Sequence, residues 1–174
     1  MSKPATGVAW GRIVSYALLA LVLDEACANA QPPITCTFTS YSVAFGNYDP
    51  SQATATDGNG TVGVNCTHDN TGGATTTATV VLSIGAGTYG TFASRQMQIS
   101  AGAQRLFYNL YIGSPSGQIW GDGSGGYNTS SISITGIAKN SSKTGSFTVF
   151  GRIPAQQNIS AGNYADNVVI SITP

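Results

Sequence analysis

The chain has 174 residues, seven Lys+Arg and seven Asp+Glu, so its formal net charge is zero. This balance gives no electrostatic basis for binding nucleic acid or an anionic membrane surface. Charged residues are only 8% while Gly (22), Ser (19) and Thr (20) abound; with 41% hydrophobic residues the composition suits an extracellular β protein rather than a helical or disordered one.

Lys3 and Arg12 precede an apolar run from Ile13 to Leu23. At about 11 residues it is too short to span a bilayer, which takes ~20. Two overlapping A-x-A sites follow, ending at Ala28 and Ala30. Residues 1–30 are therefore expected to be a secretory signal peptide cleaved after Ala30, leaving residues 31–174 as one domain without a membrane span. Asp24-Glu25-Ala26 before Cys27 lacks the pattern of a lipoprotein cysteine. Two cysteines remain, Cys36 and Cys66, and a secreted chain with two cysteines is expected to bridge them. The loop they close, about 30 residues, corresponds to roughly 3–4 kcal/mol in the chain-entropy model.

Beyond the leader, apolar residues recur with period two. The inward sets are Cys36 and Phe38; Tyr41, Val43 and Phe45; Val62, Val64 and Cys66; Val80, Leu82 and Ile84. Then come Leu106, Tyr108, Leu110 and Ile112; Ile132 and Ile134; Phe147 and Val149; and Val168, Ile170 and Ile172. Asn47-Tyr48-Asp49-Pro50 and several glycine-rich breaks separate them. No stretch carries a sustained 3.6-residue period. Many short strands between regular turns indicate an all-β sandwich or barrel.

Catalytic chemistry finds little support. Three G-x-G-x-x-G matches begin at Gly58, Gly85 and Gly121, but no helix is expected after any of them to hold a phosphate. The single imidazole, His68, lies in a polar Thr67-His68-Asp69-Asn70 segment and is expected to be solvated. Zinc would want more ligands. No metal, cofactor or enzymatic role is expected. Trp120 and Asp122, in Trp120-Gly121-Asp122-Gly123, are candidate ligand contacts, with Tyr108 and Tyr111 as further aromatic surface. Against that stand a tight turn closed by Asp122 on its own backbone and aromatics committed to packing.

Taken together, the ordered blocks resemble the Spore Coat Protein U domain, the module of archaic chaperone–usher pilins. They are Cys36; Val43 to Pro50; Gly60 to Thr67; Leu82 to Gly87; Arg95-Gln96-Met97; Leu106 to Tyr111; Ile119 to Gly123; Phe150 to Gln157; and Ala161 to Asp166. The resemblance implies an immunoglobulin-like antiparallel β-sandwich that lacks its final strand. It also carries a Cys36–Cys66 pairing. A periplasmic chaperone, an outer-membrane usher and other pilin subunits become the expected partners, and the cell surface the destination after periplasmic transit. In that scheme Val168, Ile170, Ile172, Phe38 and Phe45 are groove and core candidates. The sequence stops at Pro174, at the end of an apolar strand, which fits an acceptor of a donated strand. Only Gln31-Pro32-Pro33-Ile34-Thr35 precedes Cys36, and two prolines make it a poor donor. A terminal or tip subunit of a surface fibre is therefore expected. Alternatives are a spore or cyst coat protein and a secreted carbohydrate-binding sandwich. Gly113 stands where family members often carry Asp, a change expected to affect only a turn.

Overall fold

The computed structural model describes residues 34–174; the expected signal peptide lies outside them. Ten strands follow one another: β1 (Ile34–Ala44), β2 (Thr56–His68), β3 (Thr75–Ile84), β4 (Arg95–Ile99), β5 (Arg105–Ile112), β6 (Gln118–Ile119), β7 (Ser130–Ala138), β8 (Ser141–Ile153), β9 (Tyr164–Ala165) and β10 (Ile170–Thr173). No helix occurs among the described residues. The larger sheet runs β1-β2-β8-β5-β4-β9, with β6 paired to β5, and the smaller runs β10-β3-β7. All of these strand pairs are antiparallel. The chain is an antiparallel β-sandwich.

The expected period-two faces form the shared core. Val62, Val64 and Cys66 of β2 meet Val80, Leu82 and Ile84 of β3, with Leu106, Tyr108 and Leu110 of β5 and Val149 of β8. β2 and β8 pair without interruption from Thr56↔Ile153 to His68↔Ser141. β8 is reached from β7 through the two-residue turn Lys139-Asn140, with Asn140 at φ 53°, so this short turn carries the chain between sheets.

Two bulges explain where simple alternation breaks. Inward residues change parity, from Cys36 and Phe38 to Val43 in β1 and Phe45 just after it, across a register shift between Phe38 and Ser40. An extra residue in one strand is what moves the inward set to the other parity. Tyr41 gains little from the shift: it is 65% exposed, contrary to the expected inward role, with its ring edge-on to Phe38. In β7, Thr135 and Gly136 face a single residue of β3, and Gly136 has a φ of 67°. The bulge turns Ile137 into the core beside Ile132 and Ile134.

Cys36 and Cys66 are directly opposed on β1 and β2 and form the bridge. His68, two residues beyond, is not solvated as expected but fully buried. Its Nδ1 lies 3.3 Å from the Ile137 carbonyl and its Nε2 lies 2.8 Å from that of Thr71. The sequence context misled because the acceptor on β7 is 69 residues away. The disulfide, His68 and the β7–β8 turn thus gather at one end of the sandwich. A Cys36→Ala/Cys66→Ala double variant is expected to lose about 3–4 kcal/mol of stability. Urea unfolding of the two proteins, monitored by tryptophan fluorescence, measures the loss; equal midpoints would contradict it.

Candidate functional site: an open groove between the sheets

At the other end the two sheets are not sealed. A groove of about 790 Å³ opens there, with Tyr41 to Phe45 on one rim and Ile159 to Val168 on the other. Its floor is apolar: Val62, Leu106, Leu110, Trp120 and Val149 from the larger sheet side, Ile84 and Ile170 from the smaller. The bounding strands have free edges. β1 pairs only with β2, and β10 only with β3, among the described residues.

Close backbone approach positions the first rim. A Cβ on Gly60 would strike the Ser42 carbonyl, and one on Gly151 would strike the Phe45 ring. Glycine at both places lets β1 lie tight on β2 and lets Phe45 lie over β8. Phe45 then meets Tyr108 edge-to-face at 5.7 Å. Beyond it the Tyr48 hydroxyl donates to the Pro154 carbonyl (3.0 Å) and accepts from the Gln157 amide (2.8 Å).

The second rim is held by polar ties. Tyr164 and Ala165 pair with Ile99 and Gln98, and the Tyr164 hydroxyl donates to Gln104 Oε1 at 2.9 Å. Asp166 accepts from the Thr88 amide (2.9 Å) and from the Tyr108 hydroxyl (2.7 Å). Burial, and then the bond to Asp166, push the Tyr108 phenol far above its ordinary pKa, so it stays a proton donor. The Gly85 amide donates to the Val169 carbonyl at 2.9 Å, steering the chain into β10.

Arg95 supports the floor from within. It is fully buried and donates to Asn109 Oδ1 (2.6 Å), to the Gly85 carbonyl (2.9 Å) and to the Trp120 carbonyl (2.8 Å). Its guanidinium also stands 5.4 Å from the Phe92 ring centroid. Burial lowers its pKa, opposed by Tyr108 and Asp166. Asn109, expected on an outward face, is instead 5% exposed, because it couples Arg95 to the Phe92 and Ala93 carbonyls. Nothing in the local alternation marks Asn109; Arg95 is signalled only by its place on the Met97 and Ile99 face of β4 and by the Arg95-Gln96-Met97 block.

The expected site residues separate into three groups. Phe45, Val168 and Ile170 line the groove. Phe38 and Ile172 pack, half-buried, on the core and are not among its lining residues. Trp120 is fully buried: its indole N–H donates to the Leu82 carbonyl (3.1 Å) and its ring meets Phe147 at 5.2 Å. It therefore has no open face for a sugar. Asp122 accepts from the Ser124 amide and hydroxyl, closing a turn, and these bonds hold its carboxyl below the usual range. Gly113, at φ 82°, sits in the bend after β5. No group of three or more His, Cys, Asp or Glu side chains suited to a metal occurs among the described residues.

The chain matches a family model, the Spore Coat Protein U domain, over residues 23–171. The chain belongs to this family. Among solved structures, this Spore Coat Protein U domain is similar to the CsuC–CsuE chaperone–tip adhesion subunit pre-assembly complex from archaic chaperone–usher Csu pili of Acinetobacter baumannii. The TM-score is 0.53 at 18% identity, covering 80% of this chain and 40% of that one. A chaperone–tip adhesin complex of CFA/I fimbriae aligns at a TM-score of 0.44 and 15% identity, covering 81% and 42%. The domain thus spans less than half of either matched chain. Comparison with curated proteins finds no match.

Replacing Arg95 by Met leaves the Gly85 and Trp120 carbonyls and Asn109 without their buried donor. The expected loss is about 3–5 kcal/mol, since each buried acceptor left unpaired costs about 1–3 kcal/mol. Arg152→Met, which breaks a surface pair with Asp57, is expected to cost at most about 1 kcal/mol. Thermal midpoints of the two variants measure the contrast.

Proposed function

We propose that this protein is a non-catalytic structural subunit of a surface fibre of the archaic chaperone–usher type. Its groove takes a β-strand supplied in trans, first by a periplasmic chaperone and then by a neighbouring subunit. The observation that carries this reading is the apolar groove between two strands, β1 and β10, whose outer edges are unpaired. An inserted strand would meet the need of both features at once. Its backbone would pair with a free edge, and its alternate side chains would enter the groove. A strand of roughly ten residues directs about five side chains inward. Each contributes ~1.5–3 kcal/mol on burial, a gross stabilisation on the order of 10 kcal/mol before ordering costs. Family membership and the similarity in fold to a chaperone-bound tip subunit support the same reading. Export through the periplasm to the cell surface follows from it, with the usher as the outer-membrane partner.

Co-expression of the full precursor with and without the candidate chaperone tests the proposal. The expected product is a one-to-one complex with Cys36–Cys66 closed. Ile170→Asp, which puts a charge into the groove, is expected to abolish the complex while the disulfide still forms. A soluble, stable monomer secreted equally well without chaperone would overturn strand donation.

A further inference from the structure

A second cleft, of about 350 Å³, lies on the outer face of the larger sheet. Strand alternation turns Phe107 and Tyr111 of β5 away from Leu106, Tyr108 and Leu110, which face the core. Tyr108 borders both the cleft and the inter-sheet groove, but Phe107, Tyr111 and Arg152 belong to the cleft alone, so the cleft does not depend on the function proposed for the groove.

Its chemistry is mixed in a particular way. Phe107 is 43% exposed, an unusual position for a phenylalanine ring in the middle of a sheet. Tyr111, four residues along the strand, stands about 13 Å away at its Cα. Between them Arg152 reaches across from β8, where it pairs in register with Asn109 on one side and Asp57 on the other. Its Nε and Nη2 donate to the two Asp57 carboxylate oxygens, at 2.6 and 2.8 Å. Among the described residues, Nη1 makes no hydrogen bond, and Ser94 also borders the cleft.

One wall is braced. The Gln157 side chain behaves as a missing strand residue: its Oε1 accepts from the Phe107 amide (2.7 Å) and its Nε2 donates to the Phe107 carbonyl (2.9 Å). Gln156, beside it, holds a φ of 56°, a left-handed conformation that costs energy for a non-glycine residue. The neighbouring Pro154 and Ala155 form the wall itself. The Phe107 backbone is thereby fixed before any ligand arrives, which reduces the ordering cost of binding.

We propose that this cleft binds a neutral oligosaccharide. The Arg152–Asp57 pair cancels its own charge, so the cleft offers no net attraction to an anion. It does offer the free Arg152 Nη1 as a donor, on a guanidinium that the Asp57 carboxylate holds in place, which suits a sugar hydroxyl. The two aromatic rings offer apolar faces to the C–H faces of sugar rings. Their separation exceeds one pyranose and suits a ligand of two or three units. A few fixed polar groups beside aromatic surface is the usual make-up of a small-molecule site.

Saturation-transfer NMR on the full-length exported protein, kept with its chaperone where it carries one, tests the site. The probes are maltotriose, cellotriose and mannotriose. Transfer to the ring C–H protons of at least one is expected. Phe107→Ala and Arg152→Lys are each expected to weaken that binding about tenfold, with an unchanged thermal midpoint and a closed disulfide. Val81→Ser, on the exposed face of the smaller sheet and away from both the cleft and the groove, is expected to leave it unchanged. Absence of transfer to all three trisaccharides, or transfer indifferent to Phe107→Ala, would overturn the proposal.

Discussion

The uninterrupted pairing of β2 with β8 is the constraint on which the rest of the molecule depends. From Thr56↔Ile153 to His68↔Ser141 every residue of each strand has a partner. This fixes Val62, Val64 and Cys66 on the core face, and with Cys66 it fixes where β1 is bridged. It also sets the start of β8 two residues after β7, so the smaller sheet is laid over the larger by a turn too short to allow another placement. The outward pair Asp57 and Arg152 is on the other face of the same ladder. Core, disulfide, sheet stacking and outer cleft are consequences of one register.

The apolar interior is sealed unevenly. Where β7, β8 and the bridge meet, buried groups find partners across the sheets, as His68 does with Ile137. Where β1 and β10 approach each other, no strand joins them among the described residues, and the floor of the groove is apolar. Polar ties such as Tyr108–Asp166 and Tyr48–Pro154 fix the rims without filling the gap. Arg95 completes the arrangement by anchoring the Trp120 backbone, so the floor is held from beneath by neutral acceptors rather than by a paired carboxylate.

Much of the strand framework was legible because burial in a sheet is periodic. Val80, Leu82 and Ile84, or Ile132 and Ile134, need only their own spacing to declare a face. Legibility failed where a feature depends on distant chain. The parity change in β1 comes from a bulge opposite β2, and Ile137 turns inward only because Gly136 allows a bulge opposite β3. His68, Asn109 and Arg95 look like surface residues until acceptors far away in sequence are brought beside them. Trp120 suggested a platform because composition cannot tell an aromatic ring that stacks on a ligand from one that stacks on Phe147. The groove itself was expected from the family resemblance. The outer cleft was not, because Phe107 and Arg152 come from strands joined only in the folded sheet.

The positions of the Cys36–Cys66 bridge and the Lys139-Asn140 turn give the sandwich a mechanical polarity. Both lie at one pole, like the binding of a book, and the groove lies at the other, along the free margin of the pages. A load applied through a strand seated in the groove would enter at the open margin and pass along β2 and β8 in shear, with their full ladder of hydrogen bonds sharing it. The covalent bridge would act as a stop on β1, confining any peeling of that strand to the residues on the groove side of Cys36.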